Sequence, residues 1–115
     1  MADLKSLTQK VIAFRNARKW KQFHNPKDSA LSLVLEAAEV MEHFQWKNKE
    51  EMDAYVKANR KAIGEELADT LYWVLLMAHD LKINLPKNFV EKLKKNGEKN
   101  PIKKSKGRHT KYTKL

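Results

Sequence analysis

A chain of 115 residues with 24 basic and 14 acidic side chains, no cysteine, and only three glycines and three prolines is sized for one domain and rich in helix formers. The missing cysteine excludes disulfides and thiolate metal sites, and the longest apolar stretch, Leu71 to Ala78, is too short to cross a bilayer. The formal charge of +10 is local: residues 92–115 hold ten Lys or Arg against Glu98 alone, so the rest of the chain is nearly neutral.

The first ten residues lack the apolar run of a signal peptide, so a cytoplasmic protein without membrane association is expected. Leu4, Leu7, Val11, Phe14 and Ala17 recur at helical spacing and predict an amphipathic first helix over residues 4–20. Pro26 interrupts the pattern, and Asp28 or Ser29 offers the cap of a second helix reaching about Phe44. That helix is apolar nearly all round (Leu31, Leu33, Val34, Leu35, Ala37, Ala38, Val40, Met41), which predicts burial in a bundle. Ser32, Glu36, Glu39 and His43 fall on one stripe of it.

Asn48 with Glu51 three residues on reads as a capping box. It opens a helical pattern running to Leu81, with a break expected between Lys57 and Gly64. Ala62, Glu66, Asp69, Trp73 and Met77 share one stripe; Leu67, Leu71, Val74, Leu75 and Ala78 share another. Asn84-Leu85-Pro86 starts a last helix, and Gly97 suits a left-handed cap at its end. Beyond Pro101 the tail is basic and aperiodic and, taken alone, reads as disordered.

Glu36-x-x-Glu39 and Glu66-x-x-Asp69 each point two carboxylates the same way from one helical turn. Such spacings also arise by chance on solvated helix faces; here apolar neighbours surround both pairs, and buried acids need a partner. Four carboxylates facing one another would suit Mg²⁺ or Mn²⁺ rather than zinc. A di-iron bundle requires Glu-x-x-His motifs, which this chain lacks. Trp20, Trp46 and Trp73 are either core aromatics or a stacking wall for a nucleobase.

These motifs lie among further segments: Trp20-Lys21-Gln22-Phe23-His24-Asn25-Pro26, Phe44-Gln45-Trp46, Glu65-Glu66-Leu67-Ala68-Asp69 and Lys111-Tyr112-Thr113. With them, nearly the whole chain resembles the all-α, MazG-like nucleoside triphosphate pyrophosphohydrolases, and among these the dCTP pyrophosphatase branch. The resemblance implies a four-helix-bundle protomer that assembles as a homotetramer or a dimer. The helical domain would span residues 1–100, and the basic tail, residues 101–115, would fold over the phosphates of the substrate. It implies Mg²⁺-dependent conversion of a (d)NTP to the monophosphate and pyrophosphate, dCTP being the expected substrate in nucleotide-pool cleansing. Glu36, Glu39, Glu66 and Asp69 would hold the metal and carry catalysis. Trp20, His24, Trp46 and Trp73 would meet base and sugar, and Asn96, Lys99, Lys111 and Tyr112 the phosphates. Val11 stands where relatives offer a histidine to the base, and Trp73 where a tyrosine is expected, so base selectivity is where the chain departs. The competing reading is a small nucleic-acid-binding protein using the lysine-rich tail, against which stands the tail's lack of interleaved aromatics beyond Tyr112.

Overall fold

The computed structural model describes residues 2–114, which are helical and contain no strand among them. The helices are α1 (Leu4–Ala17), α2 (Pro26–Glu42), α3 (Lys49–Asp80), α4 (Leu85–Lys99) and the single-turn α5 (Ile102–Ser105), with 3-10 turns at Lys21–Phe23 and Tyr112–Lys114. The chain divides into two compact units after Lys82. None of the described helices is long and apolar enough to cross a membrane.

In the first unit, α3 packs along α2 and α1 packs on α3. Each helix begins on a side-chain cap that satisfies otherwise orphaned backbone donors. The Asp3 carboxylate accepts from the Ser6 amide at 2.8 Å. The Asn25 carbonyl accepts from the Asp28 amide at 2.9 Å, and Asn48 forms the expected box with Glu51. The cap of α2 is therefore Asn25 rather than Asp28 or Ser29, because Pro26, with no amide of its own, sits in the first turn.

All three helix ends of this unit turn through a left-handed residue that is not glycine: Lys19 (φ 54°), Trp46 (φ 67°) and Lys82 (φ 56°). Gly97, expected to take that role, lies inside α4, which runs on to Lys99 and is closed by the Asn100 amide donating to the Asn96 carbonyl at 3.0 Å. The glycine with positive φ is Gly107 (φ 75°), within the tail. That tail is not featureless, since it holds α5 and the 3-10 turn at Tyr112–Lys114.

The core of the first unit is small: Val11, Leu75 and Leu76 are its buried hydrophobic residues. Buried among helices α1 and α3, Arg15 is 1% exposed and donates to the Asp80 carboxylate at 2.7 Å. α2 is not buried all round as its composition suggests. Leu31, Val34, Leu35 and Met41 are each more than half exposed, as is Leu67 of α3. In the second unit α4 starts on the Asn84 cap and presents Phe89, Val90 and Leu93 as an exposed apolar face. There the Lys99 ammonium lies 4.9 Å from the centre of the Tyr112 ring.

Candidate metal centre and nucleotide cavity

Packing of α2 against α3 brings Glu36, Glu39 and Glu66 together, with one carboxylate oxygen of each within 4.8 Å of the others. The i, i+3 spacing points Glu36 and Glu39 the same way from α2, and Glu66 answers from α3. One oxygen each of Glu36 and Glu66 is shut off from solvent and has no hydrogen-bond partner. Such orphaned oxygens are rare unless something else binds them.

The electrostatics of the cluster follow from like charges at close range. Glu66 is pushed up to about 7, first by the hydrogen bond its protonated form gives Glu39, then by desolvation, then by the charges of Glu39, Asp69 and Glu36. Glu36 is raised by burial first and then by Glu39 and Asp69. A divalent cation would reverse this, replacing mutual repulsion with attraction. The donor set is all oxygen, several lone pairs are unused, and the charge is uncompensated. The residues therefore fit Mg²⁺ or Mn²⁺.

Asp69 stands slightly apart. It is not in the close group of three, yet its charge reaches both Glu36 and Glu66. With Glu36 it forms one side of a cavity of about 490 Å³, whose other walls are Lys10, Val11, Phe14, Trp20, Tyr72 and Trp73. The aromatic rings meet edge to face: Phe14 with Trp20 at 5.8 Å, Phe14 with Tyr72 at 6.2 Å, and Tyr72 with Trp73 at 5.3 Å between centroids. The Arg18 guanidinium lies 3.6 Å from the Phe14 ring centre. Burial raises the Tyr72 phenol above its ordinary value.

The expected binding residues are thus distributed unevenly. Trp20 and Trp73 line the cavity beside the carboxylates. His24 sits behind Trp73, ring centroids 5.3 Å apart, and faces a separate cavity of about 350 Å³ with Lys21, Ser29 and Asp80. Desolvation, followed by the nearby Arg15, lowers His24. Trp46 is 90% exposed at the turn between α2 and α3 and lines none of the aromatic cavity. Asn96, Lys99, Lys111 and Tyr112 all belong to the second unit, where Lys99 and Tyr112 meet.

Lys10, Phe14 and Tyr72 also line the cavity; the local signals for them are that Phe14 shares a stripe with Val11 and that Tyr72 adjoins Trp73. Glu42, His43 and Tyr55 form, with Glu39 and Glu66, a third cavity of about 280 Å³. Glu42 continues the i, i+3 series of Glu36 and Glu39, which is the one local signal for it.

Comparison with known proteins identifies the family. The MazG-like family matches residues 31–115. dCTP pyrophosphatase 1 of Bos taurus is 38% identical over 104 residues, covering 89% of this chain and 62% of that protein. dCTP pyrophosphatase 1 of Rattus norvegicus is 36% identical, with 89% and 61% covered. The chain thus spans about three fifths of the length of these curated relatives. A crystal structure of a pyrophosphatase from Archaeoglobus fulgidus superposes with a TM-score of 0.81 at 30% identity, covering 88% of this chain and 94% of that one. With an acidic cluster on two packed helices, an all-helical fold and these matches, the chain belongs to the MazG-like family.

Proposed function

We propose that this protein is a nucleoside triphosphate pyrophosphohydrolase that converts a (d)NTP and water to the (d)NMP and pyrophosphate, with dCTP the preferred substrate. One observation carries the reading. An uncompensated group of three carboxylates adjoins an aromatic cavity, and Glu36 belongs to both. Glu36, Glu39 and Glu66 would hold a divalent cation, Mg²⁺ or Mn²⁺, with Asp69 completing the acidic set from the cavity wall. When bound, such a cation neutralises triphosphate charge and lowers the pKa of a water.

The chain's own residues supply position and exclusion. Trp20 and Trp73 offer faces on which a base stacks, while Phe14 and Tyr72 hold those rings edge-on. Val11, 9% exposed, contributes contact but no hydrogen bond. His24 supports Trp73 from behind. Asn96, Lys99, Lys111 and Tyr112, in the strongly basic second unit, would meet the phosphates. The exposed apolar residues of α2 support assembly with further copies, a tetramer or a dimer, because an apolar stripe of that extent is seldom left in water. Trp46, free of its own chain's cavity, would then be available to a nucleotide held by a neighbour. Nucleotide-pool hydrolysis of this kind fits a cytoplasmic setting.

A panel of ribo- and deoxyribonucleoside triphosphates with Mg²⁺, scored for pyrophosphate against orthophosphate, tests this. Pyrophosphate release, fastest with dCTP, is expected. Orthophosphate as the product, or no release from any nucleotide, would contradict it.

A further inference from the structure

α3 changes direction at Asn59 (φ −127°, ψ 24°), two helical turns ahead of Glu66. The cause is local: the Asn59 side-chain amide donates to the Tyr55 carbonyl at 3.0 Å, interposing a side chain in the backbone ladder. Tyr55 is itself held from α2. Its hydroxyl shares a hydrogen bond of 2.6 Å with Nδ1 of His43, which lies one turn beyond Glu39. The Lys47 ammonium rests 4.2 Å from the Tyr55 ring centre, and Phe44 meets the same ring edge-on at 6.5 Å. His43 and Tyr55 line one cavity with Glu39, Glu42 and Glu66.

The buried hydrophobic residues Val11, Leu75 and Leu76 all come from α1 and the later part of α3, so they do not brace this end of the α2–α3 pair. Here the carboxylates of Glu39, from α2, and Glu66, from α3, come within 4.8 Å of each other, so their spacing depends on how these two helices are held. The His43–Tyr55 hydrogen bond ties the end of α2 to α3 and walls the same cavity. We infer that the His43–Tyr55 hydrogen bond is a positioning device: it fixes the kinked α3 against the end of α2, sets the spacing of Glu39 and Glu66, and so sets the affinity of the carboxylate group for a divalent cation. The inference rests on the reading of these carboxylates as a metal site, and it adds two residues outside the carboxylate group.

The test is Mn²⁺ binding to the full chain in the absence of nucleotide, followed by loss of the free-ion electron paramagnetic resonance signal. Tyr55→Phe removes one hydroxyl and His43→Leu removes its partner; His43→Asn keeps a polar atom near the Nδ1 position. Groups supporting metal ligands alter affinity by about 10-fold or more, and that weakening is expected for Tyr55→Phe and for His43→Leu. The double variant should be no weaker than either single one, since both break the same bond. His43→Asn should recover most of the affinity, and KM for the nucleotide at saturating metal should be unchanged in all of them. Circular dichroism at the assay temperature confirms that each variant is folded. If Tyr55→Phe and His43→Leu bind Mn²⁺ as the parent does, or lose only thermal stability, while Glu39→Gln abolishes binding, the positioning role is wrong and the metal site stands. If Glu39→Gln also binds Mn²⁺ unchanged, the metal reading falls and the positioning role with it.

Discussion

Two charged sites in the first unit, one buried and one partly exposed, are balanced to opposite degrees. Arg15, 1% exposed, is answered at 2.7 Å by Asp80, and both groups come from the same chain. Glu36 and Glu66, half-buried, and Glu39, exposed, gather within 4.8 Å with no salt bridge to any of them among the described residues, and one oxygen each of Glu36 and Glu66 lacks a hydrogen-bond partner. Burying a charge is tolerated when it is paired. The Arg15–Asp80 pair is balanced in charge, with Arg15 Nε alone left without a partner, and reads as structure. The carboxylates are incomplete, and that imbalance marks them as a place where the fold gives up stability for binding.

Breaking the two sites should therefore have opposite consequences. The largest expected effect is on the unbalanced one. Glu39→Gln removes a ligand and should cost about 1000-fold in kcat/KM, given that metal stabilisation of a transition state amounts to several kcal/mol. The same variant should melt higher than the parent in metal-free buffer at pH 8, where Glu66 is ionised, because one like charge has gone. On the balanced site, Asp80→Asn leaves Arg15 buried without a counter-charge. Losing one partner of a buried pair costs about 3 kcal/mol, read as a fall in Tm of at least about 10 °C, with turnover per folded molecule retained.

Smaller effects refine the picture. Trp73→Ala takes away one stacking face; base–aromatic stacking contributes about 1–3 kcal/mol, so KM should rise roughly 10-fold with kcat little changed. The smallest effect is a pH dependence. The metal-free folded state holds the Glu66 proton up to about 7, above the ordinary value of 4.5, so it binds more protons than the unfolded chain across that interval. Its stability must then fall as pH rises from 4.5 through 7, with Glu36 acting in the same direction. Because a cation competes with that proton, the Mg²⁺-induced rise in Tm should grow over the same range, as thermal scans at pH 5.5 and 8 would show.

Much of the candidate site could be read from local spacing. The i, i+3 acids, Trp73 on the Asp69 stripe and the Asn48–Glu51 box all depend on one helix at a time, and the structure realises that spacing. What escaped depends on relations between helices or on energetic exceptions. Arg15 and Asp80 are 65 residues apart, and neither carries a local sign of the other. The left-handed turns fall on Lys19, Trp46 and Lys82, where no glycine signals them. Gly97 permits a left-handed turn without compelling one, and α4 simply continues through it. The composition of α2 states that it must be buried but not by what, and within this chain Leu31, Val34 and Leu35 stay exposed.

The central claim, that the carboxylate group is left unbalanced for a divalent cation, is tested most directly by thermal melting of the parent and Glu39→Gln at pH 8, each with and without Mg²⁺. The account predicts that Mg²⁺ raises Tm in the parent alone and that the metal-free variant is the more stable of the two metal-free proteins. A metal-free Glu39→Gln less stable than its parent, together with no Mg²⁺ effect on either, would contradict it.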